Sequence, residues 1–288
     1  MELSQKRTPE SASGAWNRQV VVIEPHRGWR ELGLGEIWAH RELLYFFTWR
    51  DLKVRYKQTA FGAAWAVLQP VLLMLVFSAS LGRLPGVGPA GLPYPLFVFA
   101  GLVPWTLFAS SLAGASNSLV SGEAIITKVY FPRLLLPFAS VGSFLLDFVI
   151  SLAALAVVML YFGAAPSAAI VWLPLLTLMA VVTALAVGTF LAAVNVRYRD
   201  VKYVVPFLVQ VWMFASPVVY TSTLIPSRWH ALYALNPMTG VVDGFRWALV
   251  GGPRPDDLIF VSAVVSVLLL LGSLIYFRRV ERTFADVI

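Results

Sequence analysis

The sequence predicts an all-α membrane protein with six transmembrane helices, and three observations carry that prediction. Of its 288 residues, 59% are apolar and only 13% are charged, whereas about 25% of an ordinary soluble domain is charged. Six separate stretches hold the roughly 20 consecutive apolar residues that a membrane helix needs. Eighteen of the 22 Lys and Arg residues fall on one side of the resulting topology and four on the other, which is the positive-inside pattern. A soluble enzyme and a disordered chain are both excluded.

Residues 1–35 are expected to form a flexible or partner-specific extension; Trp16, Trp29 and the run VVVIEP in it match no functional pattern. The first 60 residues lack a short apolar core followed by a small-residue cleavage site, so no signal peptide is expected. Residues 36–57 (EIWAHRELLYFFTWRDLKVRYK) read as one amphipathic helix lying in the membrane interface. Ile37, Leu44, Phe47, Leu52 and Val54 belong to its apolar side, and Arg41, Arg50, Asp51, Lys53, Arg55 and Lys57 to its polar side. It is either a simple anchor or an element that moves or touches a partner.

The six expected spans are residues 62–82, 94–120, 134–163, 168–194, 201–222 and 257–277, together a transmembrane domain over 62–277. Charged or turn-rich breaks separate them, the shortest at 163–167, where Gly163 and Pro166 suit a tight helical hairpin. The basic residues before the first span, in 121–133, in 195–202 and in 278–288 place both termini and the 278–288 tail in the cytoplasm. The basic charge then reflects neighbouring anionic membrane lipid and calls for no nucleic acid. Prolines at 70, 104, 137, 174, 206 and 217 interrupt five of the six spans and suit a kinked bundle with a cavity.

The chemistry available is narrow. There is no cysteine, and His26, His40 and His230 cannot form a paired-histidine site, so no metal is expected. No GxxxxGK[ST] occurs, so any ATP must be hydrolysed by another subunit. Asp147 is the only formal charge away from the ends of a span, with Gln69, Asn117 and Gln210 as uncharged polar groups. It is a coupling acid or an acid paired across a helix interface; one carboxylate is thin support for a proton relay. Asp256 and Asp257 read as a solvated turn.

Two loops exceed what a connector requires. Residues 121–133 (SGEAIITKVYFPR) predict a short cytoplasmic helix, with Ser121 as cap, Glu123 at its positive start and Pro132 forcing the exit. Its Ile125, Ile126 and Val129 beside Lys128 form a docking surface or pack on the chain's own helix ends. Residues 223–256 contain Asn236-Pro237, a capping residue and a first-turn proline, starting a helix of about 13 residues that Gly251 and Gly252 end. With residues 227–235 it makes two short amphipathic helices on the external side, a static cap or a lid. Aromatics are 14% of the chain. Most suit lipid or the interfacial belt, and Trp65, Trp105, Phe108, Trp212, Phe214 and Tyr220 lie near span ends that also carry prolines.

Six ordered motifs carry a resemblance: QTAFGAAWAVLQP, ITKVYFPR, VRYRD, SPVVY, LNPMTGVVDGFRWAL and RRVERTFADVI. Together, over roughly residues 36–288, they resemble the permease subunit of polysaccharide-exporting ATP-binding-cassette transporters, which move lipid-linked O-antigen, capsule or teichoic acid chains. The resemblance implies a homodimer in the bacterial inner membrane with two copies of a separate ATPase, which would hold ATP and magnesium. It implies an interface helix over residues 36–57, including Arg50, Lys53 and Arg55. Residues 123–133 would be a coupling helix contacting the ATPase, through Glu123, Ile126, Lys128, Tyr130 and Arg133. Arg197, Arg199 and Asp200 match the charged loop after the fourth span. Residues 223–254 match the external gate, with Trp229, Asn236, Pro237 and Arg246. The first and fifth spans would frame the channel, with Trp65, Phe108, Trp212, Phe214 and Tyr220 as candidate lining. The alternatives are an exporter of drugs or small lipids on the same fold and an ion-coupled carrier dependent on Asp147.

Overall fold

The computed structural model describes residues 34–57, 62, 64–84, 86–89, 91–255, 257, 259–282 and 284. Trp16, Trp29, the VVVIEP run and Asp256 lie outside the described residues, while Asp257 is exposed. All regular structure among the described residues is helical. Five helices are long and apolar enough to cross a membrane: α3 (Ala64–Leu81), α4 (Tyr94–Ser121), α6 (Leu135–Tyr161), α7 (Leu173–Arg197, continuing a 3-10 turn from Ala168) and α11 (Ile259–Glu281). The shorter elements are α1 (Leu34–Ala39), α2 (Arg41–Lys57), α5 (Glu123–Ile126), α8 (Val201–Phe214), α9 (His230–Ala234) and α10 (Pro237–Val250).

The expected fifth span differs. In place of a continuous helix over 201–222, α8 stops at Phe214 after 14 residues, about 21 Å at helical rise and short of the hydrocarbon thickness. Residues 215–220 then turn, and Pro217 cannot donate the hydrogen bond that would continue the helix. Kinking is also less widespread than the prolines suggest. Pro70, Pro104 and Pro206 are inside helices, but Pro137 and Pro174 sit in first turns, where the missing N–H has no intrahelical partner to lose. The tail is shorter too, because Arg278 and Arg279 belong to the last turn of α11.

Helix α4 is the axis of the fold, buried along most of its length between α6 and α7. Small residues permit that. A Cβ on Gly188 of α7 would come within 2.6 Å of the Ala115 Cβ of α4, and one on Gly114 of α4 within 2.4 Å of the Phe144 ring of α6. Close backbone approach supplies the dispersion contact that holds helices together where lipid removes the hydrophobic drive. Interhelical hydrogen bonds add to it. The Asn195 amide donates to the Ser116 carbonyl at 3.0 Å and the Asn117 side chain at 3.1 Å, tying α7 to α4. Thr183 and Ser266 join α7 to α11 at 3.0 Å, and Ser151 donates to the Ala66 carbonyl at 2.8 Å, joining α6 to α3.

The peripheral helices leave large apolar side chains uncovered. On α3 these include Trp65, Leu72 and Val76, and on α8 Tyr203, Phe207, Val211 and Phe214. Gln69 and Gln210 are exposed on the same two helices.

Close packing at Gly188 gives a direct stability prediction. Gly188→Leu should destabilise the detergent-solubilised protein by about 1–3 kcal/mol, the usual cost of overpacking, read as a lower thermal midpoint. Gly272→Ala on α11, where a Cβ meets nothing within 4 Å, should be neutral or stabilising by up to about 1 kcal/mol.

Candidate functional site

The candidate site residues gather mainly at the two ends of α4. At its C-terminal end the chain leaves through α5 and residues 127–133. Glu123, at the positive start of α5, lies 3.9 Å from Arg199 and so joins this loop to the one after α7. Lys128, Val129 and Tyr130 face solvent, Tyr130 with 90% of its surface exposed. The apolar surface expected of α5 is only partly presented. Ile125 and Ile126 are half-buried against the apolar cluster that includes Leu134, Leu135 and Phe277.

Arg133 is also turned inward. Its guanidinium donates to the Glu281 carbonyl, its backbone N–H donates to a Glu281 carboxylate oxygen at 3.3 Å, and its charge lies 5.7 Å from the Phe284 ring centroid. Arg278 bridges Glu281 at 2.9 Å and Glu36 at 2.5 Å. This knot ties α1, α11 and the root of the α5 loop together, leaving Lys128 and Tyr130 as the projecting tip.

The helix expected over 36–57 is two helices broken at His40, with α2 seated on α6. Thr48 packs against Gly142, and Phe47 meets Phe131 edge-on at 5.2 Å. Arg50 pairs with Asp51 at 2.8 Å, both half-buried, and the exposed Lys53 lies over the Trp49 ring. Two assignments to the faces reverse. Val54 is 69% exposed. Arg55 turns from the water side into the bundle, where it donates to Asp147 at 2.7 Å and Ser143 at 2.8 Å and lies 3.7 Å from the Phe144 centroid. The lone in-span acid draws it there, since an unpaired charge in that position is costly. Tyr56 also donates to Asp147. Burial, then that hydrogen bond, pushes the Tyr56 phenol up to about 12, so it keeps its proton and remains a donor. Asp147 is thus an interface acid with two partners.

At the N-terminal end of α4, residues 215–254 form a cap. Asn236 is the N-cap of α10, accepting from the Met238 N–H at 3.1 Å, and Pro237 takes the first helical position. The same side chain accepts from the Trp212 indole at 2.9 Å and donates to the Ala215 carbonyl at 3.2 Å and the Ser216 hydroxyl at 2.9 Å. It therefore pins the end of α8. Gly251 closes α10 at φ 68°, a conformation that favours glycine. Trp229 is half-exposed on the outer rim.

Arg246 of α10 is 3% exposed. It donates to the carbonyls of Phe97 at 3.3 Å, Pro217 at 2.5 Å, Val218 at 2.6 Å and Tyr220 at 3.4 Å, with Asp243 at 3.5 Å. Its guanidinium lies 3.6 Å from the Phe97 centroid. Gly101 is the clearance for it, because a Cβ there would come within 2.8 Å of the guanidinium. Sequence reasoning placed Arg246 in the cap but missed the clamp. The only signal for it was an arginine on an otherwise apolar face of a short helix.

The candidate channel aromatics separate into two sets. Trp65 and Phe214 are about half exposed on α3 and at the end of α8. Phe108 is completely buried in the chain's own core, edge-on to Trp212 at 4.9 Å, so it supports Trp212 and lines nothing. Tyr220 donates to the Phe214 carbonyl at 2.9 Å and pairs with Tyr233 of the cap.

Two substitutions test these contacts. Asp147→Ala should cost about 1–3 kcal/mol in thermal unfolding, less than a fully buried pair because both side chains keep some exposure. Combining it with Arg55→Met should recover part of that loss. Arg246→Met should cost about 3 kcal/mol or more, since four carbonyls lose a charged donor. Limited proteolysis should then cut within residues 221–229. Arg246→Lys should not rescue, as an ammonium cannot reach the same spread of carbonyls.

The sequence of this chain matches known proteins along most of its length. The family model of ABC-2 type transporters matches residues 42–250. The O-antigen export system permease protein RfbA of Myxococcus xanthus is 33% identical over 255 residues, covering 87% of this chain and 97% of that protein. A Klebsiella pneumoniae protein of the same name is 27% identical, covering 86% of this chain and 95% of its own length. The polysialic acid transport protein KpsM of Escherichia coli is 22% identical, with 81% and 91% covered.

Proposed function

The chain belongs to the ABC-2 type transporter family, and from that membership we propose that it is the permease subunit of an ATP-driven exporter of lipid-linked polysaccharide. Two copies form the conduit in the bacterial inner membrane, with both termini cytoplasmic, and two copies of a separate ATPase hold the nucleotide and its magnesium. The observation that carries this reading is a chain without a phosphate-binding loop that presents a bare foot, Lys128 and Tyr130, at the end of its most buried helix. The glycan substrate is supported by the O-antigen and polysialic acid transporters that the chain resembles almost end to end.

The sixth crossing is α8 together with the turn and cap that follow it. A broken helix of this kind is tolerated in a membrane where its freed backbone groups are satisfied within the protein or line an aqueous cavity. The exposed faces of α3 and α8 meet those of the second copy. Each carries a glutamine, Gln69 and Gln210, among uncovered aromatics. An amide is costly against lipid, and it is useful beside a glycan whose hydroxyls lose water on entering a pore. Trp65, Phe214 and Tyr203 supply the flat apolar part of that wall.

The ion-coupled reading loses its one residue. Asp147 is occupied by Arg55 and Tyr56 at the seat of α2, and a fixed ion pair offers no relay. In the cycle that remains, closure of the paired ATPases moves the α5 foot, α4 transmits the displacement, and the cap opens outward.

Lys128→Glu with Tyr130→Ala changes only exposed side chains, so thermal unfolding should stay within about 0.5 kcal/mol of wild type. Glycan export by the reconstituted complex should fall at least about tenfold while the ATPase still turns over, the signature of lost coupling. Undiminished export would remove the foot from the mechanism.

A further inference from the structure

Two cavities meet at the segment that leads into α11, at the cap end of the bundle. The first, about 180 Å³, lies under the cap, and Thr221, Tyr233, Thr239 and Asp243 line its wall. The Thr239 hydroxyl oxygen is buried without a hydrogen-bond partner among the described residues. An unpaired buried hydroxyl costs stability, so it is expected to find a partner in a ligand or an ordered water. The second cavity, about 290 Å³, is a largely apolar groove between α7 and α11, lined by Trp172, Leu176, Met179, Trp247 and Phe260, with Asp257 also in its lining. Arg254, Pro255 and Ile259 line both. Arg254 is exposed, and among the described residues it has no ion-pair partner.

We propose, building on the exporter reading, that these cavities are one site for the head of a lipid-linked sugar phosphate. The sugar ring occupies the polar cavity, the phosphate sits at Arg254, and the hydrocarbon chain lies in the groove. The order of chemistries along the surface matches the order along such a molecule. Arg246, the other arginine in the wall of the polar cavity, is taken up by Asp243 and four backbone carbonyls, which leaves Arg254 as the phosphate position, and the Asp243 carboxylate accepts sugar hydroxyls. A free sugar would leave the groove uncovered, and an ordinary phospholipid would leave the Thr239 hydroxyl unpaired. The groove is built from α7 and α11, apart from the α3 and α8 faces assigned to the second copy, so dimerisation does not cover it.

The test titrates the chain, assembled with its ATPase in lipid nanodiscs, with farnesyl phosphoryl mannose, farnesyl phosphate and octyl glucoside by calorimetry. The complete probe should bind at least about tenfold tighter than either half, because the second contact is made at high effective concentration. Arg254→Gln should weaken both phosphate-bearing probes about tenfold and leave octyl glucoside unchanged. Thr239→Val removes no hydrogen bond of the unliganded protein. It should weaken the two sugar-bearing probes about threefold or more and leave farnesyl phosphate unchanged. Equal affinity for all three probes, or variants that alter none of them, overturns the site. Glycan export measured in parallel keeps the two readings apart: export without probe binding discards the site and leaves the conduit, whereas selective binding without export supports the site and removes the conduit.

Discussion

The constraint on which the rest of this structure depends is that backbone carbonyls buried away from water must be satisfied by protein. Helix α8 stops after 14 residues, and the turn that follows leaves carbonyls at Pro217, Val218 and Tyr220 without helical partners. One guanidinium, that of Arg246, collects all three and adds the Phe97 carbonyl of α4. A planar fork with several fixed donors suits this geometry, and burial beside Asp243 and the Phe97 ring offsets the cost of desolvating the charge. Every other cap contact is arranged around that clamp. Asn236 holds the end of α8, Tyr233 holds Tyr220, and Gly101 leaves the space the guanidinium fills.

Helix α4 carries the clamp's consequence to the opposite end of the bundle. Its first turns contact Arg246, and only Gly122 separates its last residue from α5. Between them it is locked to α6 and α7 by small residues and by the Asn195 hydrogen bonds. A close-packed helix of 28 residues is a stiff rod. The cap is attached to that rod by Arg246 and to α8 by Asn236, so movement of α4 relative to α8 loads both contacts at once. Arg55 and Asp147 fix α2 to α6 in the same manner, making α2 part of the bundle, and the knot of Glu36, Arg133, Arg278 and Glu281 holds the root of the α5 loop.

Where sequence reasoning succeeded and failed follows from the range of the forces involved. Five long apolar helices were legible because composition over about 20 residues decides membrane crossing. The start of α10 at Asn236-Pro237 and its end at Gly251 were legible because capping is local chemistry. The fifth span was misread because hydropathy does not register where a helix gives up its hydrogen bonds. Pro217 was visible, but Arg246, 29 residues away, was needed to make the break tolerable. The faces of α2 were misassigned at Arg55 and Val54 for a similar reason. Helical periodicity marks an apolar side, but an acid on another helix can pull a cation across it.

The amino-acid sequence by itself therefore determined the class of the molecule, the approximate position of five long apolar helices, both caps of α10 and the lack of a nucleotide loop. These depend on composition and neighbours within about 20 residues. It missed the start of α5, which is capped by Gly122 in place of Ser121. Only the tertiary structure decided which polar groups meet: Arg55 with Asp147, Arg246 with four carbonyls, Arg133 with Glu281, and Arg254 at the junction of two cavities. It also decided that Phe108 is buried in the core and Ile126 half-buried while Tyr130 is exposed. Those outcomes rest on contacts between segments far apart in the chain, where a charge or hydrogen-bonding group takes whichever partner the packing brings within reach.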